Sequence, residues 1–247
     1  MFRGGVWQIL KNSDDGGEGQ STPSVKPCHV REQRRTRRVP QIRGRHLLHC
    51  SFVPQRIGLF GGTFDPPHVG HLVTAVNVRH ALQLDVVVLM VANVPWQKES
   101  SRQITPADDR LALVEAAVAH VPGLEAGHLE IDHGGPSYTA DTLRVLAEKH
   151  PDAEFFTIMG DDAAAGFTTW DRYEEVATRS SLVVVDRPGK AVQLPNQFTW
   201  QHVEVPHLDV SSTDLRARFS DGRPLDFLIT EPVLAVVRER DLYGGVR

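Results

Sequence analysis

Ile57-Gly58-Leu59-Phe60-Gly61-Gly62-Thr63-Phe64-Asp65-Pro66-Pro67-His68-Val69-Gly70-His71 decides how the rest of this chain is read. The apolar run Ile57–Phe60 reads as a buried strand, and Leu72–Val78 beyond the stretch reads as a helix. A strand, a tight glycine turn and a helix start bring backbone N–H groups and the positive end of a helix dipole to one place, which suits a phosphate. His68 and His71 stand three residues apart at that opening, so on a helix they share a face and reach the same group. A phosphate cradle with two imidazoles points to chemistry at phosphorus, not only to nucleotide binding.

Plainer readings exist for each part. Gly-Gly after a strand is often only a turn, and Pro66-Pro67 can simply start a helix. A His-x-x-His pair can bind zinc, but no third ligand of suitable spacing lies nearby, so no protein metal ligands are assigned. The glycine turn alone is weak evidence; the eleven residues Gly61–His71 with the right flanks on both sides are stronger.

The 247 residues allow one sizeable α/β domain, or one domain with an appendage. No apolar run approaches the length of a membrane span, and the N-terminus lacks the apolar core of a secretory signal. The expected location is therefore the cytoplasm. Charge is unevenly placed: residues 1–52 carry 10 Lys+Arg and 4 Asp+Glu, net +6, whereas residues 53–247 carry 17 and 27, net −10. Both cysteines, Cys28 and Cys50, lie in the first part, so no disulfide staples the remainder, which fits a reducing compartment.

Residues 1–52 show no sustained apolar periodicity and are expected to form a disordered basic extension. Their Arg cluster, Arg31 to Arg45, would also suit a nucleic-acid arm or a transit peptide. Cys28, His29, His46, His49 and Cys50 are poorly spaced for a metal. Val53 directly precedes Pro54-Gln55-Arg56 and the first strand. A valine codon can start translation in bacteria, and such a start would leave residues 1–52 untranslated. The domain expected to do the chemistry is 53–247.

Within that domain strands and helices alternate. Strands are expected at 56–61, 85–91, 129–132, 154–159, 182–185 and 203–205. Helices are expected at 69–82, from Thr105 as N-cap to Ala119, from Ser137 or Thr139 to Glu148, as a short helix leading to Trp170, from Ser211 to Phe219, and from Pro232. The pattern predicts a doubly wound, mainly parallel, Rossmann-like α/β sheet, with ligands beyond the carboxyl ends of the strands. Asp65, His68, Lys98 and Asp162 all follow expected strands and can converge there.

A second phosphate element is Val210-Ser211-Ser212-Thr213-Asp214-Leu215-Arg216. Three hydroxyl residues at a helix start present donors together, and Arg216 adds a bidentate cation. Ser211 and Asp214 also fit an ordinary capping box. Lys98 could neutralise a phosphate or simply be solvated. Asp162 could hold a ribose hydroxyl, assist a metal or cap a helix. Trp170 could stack a flat ring or be core. Ser137-Tyr138-Thr139 could offer backbone donors to a carboxylate. Cationic groups, hydroxyls and helix N-termini suit in-line displacement at phosphorus, where positioning and charge neutralisation do most of the work.

These loops together resemble the bacterial nicotinate-mononucleotide adenylyltransferases, part of the wider His-x-Gly-His nucleotidyltransferases, over residues 56–244. Gly62–His71 matches the signature loop, and Val210–Arg216 matches the Ser-Ser-Thr-x-x-Arg motif. Ser137-Tyr138-Thr139 with Asp141-Thr142-Leu143, and Gly160-Asp161-Asp162 with Trp170, match two further blocks. Pro95-Trp96-Gln97-Lys98 departs from the commoner Pro-Pro-His-Lys and looks like an actinobacterial variant. Asp161 stands where the family often has Ala or Pro.

The resemblance implies that the 5′-phosphate of nicotinate mononucleotide attacks the α-phosphorus of ATP, giving deamido-NAD and pyrophosphate, with Mg2+ bound along with ATP. It assigns His68, His71, Lys98 and Arg216 to catalysis. Gly61, Gly62, Thr63, Phe64, Gly160, Asp162, Ser211, Ser212 and Thr213 fall on the ATP side. Trp170 would stack the nicotinate ring, with the amides of Thr139 and Asp171 meeting its carboxylate. Nucleic acid and membrane are not expected partners; a homo-oligomer is compatible with the reading. The rivals are a sister enzyme such as pantetheine-phosphate adenylyltransferase, a class I aminoacyl-tRNA synthetase and a non-catalytic nucleotide-binding regulator. The Asp65-Pro66-Pro67-His68 form, the Ser137–Thr139 block and Trp170 speak against the first. The chain is short and lacks a Lys-Met-Ser-Lys-Ser run, against the second, and the retained His68, His71 and Arg216 speak against the third.

Overall fold

The computed structural model describes residues 54–95, 104–186 and 192–244. The extension expected at 1–52, the domain start at Val53 and the Trp96-Gln97-Lys98 stretch lie outside the described residues. Six strands of the described residues form one sheet: β1 (Arg56–Gly62), β2 (Val86–Val91), β3 (Leu124–Gly127), β4 (Glu154–Gly160), β5 (Ser181–Asp186) and β6 (Trp200–Glu204). Every pairing is parallel, and the order is β3-β2-β1-β4-β5-β6. The strand β2, Val-Val-Val-Leu-Met-Val, is buried throughout, as a parallel strand covered on both faces must be. At the sheet centre a Cβ on Gly58 would come within 2.9 Å of Ile158 and Leu84, so only glycine allows this packing.

Helices cover the sheet: α1 (Val69–Ala81), α2 (Ala107–Val118), α3 (Leu129–His133), α4 (Thr139–Lys149), α5 (Asp161–Ala165), α6 (Tyr173–Arg179), α7 (Ser212–Asp221) and α8 (Glu231–Glu239). One core cluster joins the sheet to α1 through Ala75, Val78, Val87, Leu89 and Phe156. A second joins α2, α7 and α8 through Leu113, Leu215, Phe219, Val233 and Val237. The second cluster matters for function because it fixes α7 beside the start of α1.

The chain leaves β1 towards β2 and β3 on one side, then returns to build β4, β5 and β6 on the other. The loops after β1 and β4 therefore diverge, and the crevice between them is the switch point where doubly wound sheets bind ligands.

The expected strand at 129–132 is corrected. The third strand is Leu124–Gly127, and residues 129–132 open α3. His128 Nδ1 and Asp132 lie 2.7 Å apart at i,i+4 spacing, a contact that a helix makes and an extended strand cannot. Two caps are also corrected: α2 starts after Pro106, not Thr105, and α4 after Tyr138. The last strand begins at Trp200, three residues before the expected Val203. Beyond the expected elements, a further helix, α6, follows Trp170.

Candidate active site

The first turn of α1 carries the two histidines. Their rings stack, with centroids 3.7 Å apart and planes 28° apart. The backbone N–H of His68 donates to Nδ1 of His71 at 3.2 Å. That acceptor role leaves the proton of neutral His71 on Nε2, so a donor is directed away from the helix backbone. Phe64 meets the His71 ring edge-on at 5.0 Å and fixes its direction. His68 is buried, and Nδ1 of its ring has no hydrogen-bond partner among the described residues. Burial pushes its pKa down to about 4, so His68 stays neutral at ordinary pH. A neutral His68 stacks on the His71 ring without like-charge repulsion between them.

The loop between Gly62 and α1 is fastened from the far end of the chain. Arg216 donates to the carbonyl of Asp65 at 2.6 Å and to the Thr213 hydroxyl at 3.1 Å. The Ser212 hydroxyl donates to the carbonyl of Pro66 at 2.8 Å. Ser211 caps α7 by accepting from the N–H of Asp214 at 3.2 Å. The hydroxyls thus do the ordinary work of a cap and a tie, and in doing so they bring the N-termini of α1 and α7 together. The Tyr243 hydroxyl donates to the buried Asp65 carboxylate at 2.7 Å. Burial and the Asp65 charge raise the pKa of the Tyr243 phenol, so the bond persists across the physiological range.

A cavity of about 250 Å3 opens at the switch point. Gly61, Gly62 and Thr63 from the end of β1 line one wall, and Thr157 to Gly160 of β4 another. A Cβ at Gly61 or at Gly160 would meet nothing within 4 Å, so both glycines leave room for a ligand and not for neighbouring protein. Ser137, Tyr138, Thr139, Trp170 and Asp171 line the far end. Thr139 is the first residue of α4, whose leading amides have no acceptor within the helix.

The expected site residues sort as follows. The cavity gathers Gly61, Gly62, Thr63, Gly160, Thr139, Trp170 and Asp171. His68, His71, Ser211, Ser212, Thr213 and Arg216 gather at the joined N-termini of α1 and α7. Phe64 points inward, buried beneath Gly62 and against His71. Asp162 sits exposed on the first turn of α5, while the buried neighbour Asp161 accepts the Asp162 N–H at 2.9 Å. Lys98 lies outside the described residues.

Two residues of the site escaped the sequence reading. Arg110, only 1% exposed, donates to the carbonyls of Thr63, Ala92, Asn93 and Thr105 at 2.6–2.9 Å. It ties the loops after β1 and β2 to the start of α2. Glu130, in α3, lines the cavity and accepts from the Thr142 hydroxyl at 2.8 Å. Burial raises its pKa, and hydrogen bonds from Ser137 and Thr142 oppose the rise. A one-letter signal for either was absent: Asp108-Asp109-Arg110 reads as a charged helix surface.

Residues 59–218 match the cytidylyltransferase-like family model. A protein of Streptomyces coelicolor named "Probable nicotinate-nucleotide adenylyltransferase" is 43% identical over 188 residues, covering 75% of this chain and 99% of that one. One of the same name from Geobacillus thermodenitrificans is 40% identical over 190 residues, covering 77% and 87%. Among solved structures, the nicotinic acid mononucleotide adenylyltransferase of Plasmodium falciparum complexed with NaAD has a TM-score of 0.62 at 17% identity, over 77% of this chain and 98% of that one. That likeness concerns the fold.

Proposed function

The chain belongs to the nicotinate-nucleotide adenylyltransferase family, within the cytidylyltransferase-like group, and from that premise we infer that it transfers the adenylyl group of ATP to nicotinate mononucleotide. An oxygen of the mononucleotide 5′-phosphate forms a bond to the α-phosphorus of ATP. The bond from that phosphorus to the bridging oxygen breaks, and pyrophosphate leaves with the electron pair. The products are deamido-NAD and pyrophosphate. No covalent intermediate with the protein is needed.

The observation that carries this reading is the stacked His68–His71 pair, 3.7 Å between centroids, held beside Arg216 by the 2.6 Å bond to Asp65. His71, through Nε2–H, and neutral His68 donate to the phosphate oxygens on which charge develops. Arg216, with the N-terminus of α7 and residues Ser211 to Thr213, holds the β and γ phosphates. Gly61, Gly62, Thr63 and Gly160 leave space for the nucleotide against the sheet; Asp162 is assigned to the ATP side, and Lys98, outside the described residues, to neutralising a phosphate. Trp170 stacks the pyridine ring, and the amides of Thr139 and Asp171 meet its carboxylate. An amide in place of the carboxylate brings no charge to those donors, so nicotinate is favoured.

The donors in this site are histidine, arginine, hydroxyl and backbone N–H groups, and no group of three or more metal-ligating side chains stands together among the described residues. Such a site would take Mg2+ together with the phosphates of ATP, where the ion would supply charge neutralisation for the leaving pyrophosphate. A cytoplasmic location belongs to the same proposal; among the described residues no helix is long and apolar enough to cross a membrane.

The test is to incubate the protein with ATP, Mg2+ and either nicotinate or nicotinamide mononucleotide and to measure pyrophosphate and dinucleotide. Deamido-NAD should form in preference to NAD. His71→Ala should lower kcat about 10²–10³-fold with an unchanged circular dichroism spectrum, the usual loss for one well-placed donor. Wild-type turnover in that variant would remove His71 from the mechanism.

A further inference from the structure

The far wall of the cavity is made by two segments with no covalent tie near them. One is Tyr138-Thr139 at the start of α4; the other is Trp170-Asp171, ahead of α6. Arg172, next to Asp171, crosses between them. Its guanidinium donates to both carboxylate oxygens of Asp141, at 2.9 and 2.6 Å, and to Asp171 at 2.5 Å. It also lies over the Tyr138 ring, 5.8 Å from the centroid. Arg144, one turn along α4, holds the same Asp141 oxygen at 2.7 Å. Arg172 adopts φ 49° and ψ 41°, a left-handed conformation that a non-glycine residue keeps only when its surroundings require it.

Magnitude separates two roles for this pair. The Arg172 and Asp141 side chains are 38% and 22% accessible, so their contribution to global stability is of the small order usual for surface pairs. A bidentate guanidinium–carboxylate contact nevertheless fixes distance and angle far better than it adds energy. Here it fixes the distance between the first amides of α4 and the Trp170-Asp171 wall.

We propose that the Asp141–Arg172 clasp is a positioning device that sets the spacing of the pyridine-ring pocket and thereby the preference for nicotinate over nicotinamide mononucleotide. The proposal rests on the reading of the site given above. A carboxylate shared between amides on two separate segments is gripped only if the segments stand at the right separation. ATP, held at the other end by α1 and α7, does not depend on that separation.

The experiment is steady-state kinetics on Arg172→Met, Arg172→Lys, Asp141→Asn and the double variant Asp141→Asn/Arg172→Met, varying each substrate in turn. Each single variant should raise KM for nicotinate mononucleotide about tenfold, the scale of a sub-ångström misplacement, with KM for ATP and kcat within about twofold of wild type. The preference over nicotinamide mononucleotide should fall in parallel. The lysine variant keeps the charge but not the fork, and so should not rescue. The double variant should be no worse than the poorer single one, since both remove one contact. Unchanged KM for nicotinate mononucleotide, equal losses for both substrates, or additive losses in the double variant would overturn the clasp. If Arg172→Met fails to fold, Asp141→Asn and Arg172→Lys carry the same test. Wild-type protein that forms no deamido-NAD overturns the reading of the site itself, and the clasp's role with it.

Discussion

His68 sets burial against charge. An imidazole is easily protonated in water, yet here folding removes it from water and lowers its pKa from 6.5 to about 4. A base whose pKa falls on folding binds more protons when unfolded, so its protonation erodes stability as pH drops from 6.5 towards 4. Relative to His68→Asn, the wild type should lose about 2 kcal/mol more unfolding free energy between pH 7.5 and pH 5. Urea titrations of both proteins at the two pH values measure this, and identical losses would place His68 in contact with water. The histidine pair itself was legible from its three-residue spacing at a helix start. Its burial was not, because that depends on loops that meet it from elsewhere. Phe64 shows the same limit: its place in the signature marks it for the site, but only packing shows that it is buried against the His71 ring.

Among the elements, α2 is tied to the site by one residue. Arg110 holds carbonyls of the loops after β1 and β2, which are 47 and 18 residues away from it. Arg110→Met should leave buried acceptors without a donor and destabilise the protein by about 3–5 kcal/mol, read as a shift in the urea midpoint. A shift worth less than about 1 kcal/mol would mean that these loops hold themselves. The alternation of strands and helices was readable because long apolar runs such as Val86–Val91 admit few other states. Leu129–Asp132 was misread for the opposite reason. Four residues carry too little periodicity, and the nearby Leu124–Gly127 has the place beside β2. Gly127 fits there because any Cβ would fall 2.6 Å from Met90, a fact of packing that a one-dimensional pattern does not contain.

On the scale of the whole molecule, the site is assembled from both ends of the described domain. Tyr243 stacks on Phe219 of α7 and donates to Asp65 in the loop before α1. Tyr243→Phe should therefore lower stability by about 1–3 kcal/mol, the cost of leaving a buried carboxylate short of a donor. Thermal unfolding checks the loss, and a Tm equal to wild type would mean that another group serves Asp65 in full. The motifs announced both helix starts, but nothing in the letters said that they would touch. That contact follows from the core shared by α2, α7 and α8. It has a consequence for the making of the protein. The partners that fasten the Asp65–Pro66 loop, Ser212, Arg216 and Tyr243, follow it by 146, 151 and 178 residues. At the usual pace of a ribosome, about 5–20 residues per second, roughly 10–35 s pass between synthesis of the loop and arrival of its last fastener. A nascent chain thus displays its histidines well before Arg216 and Tyr243, which fasten the loop that leads into them. Until those residues emerge, the loop that opens α1 lacks the hydrogen bonds that hold it in the finished fold.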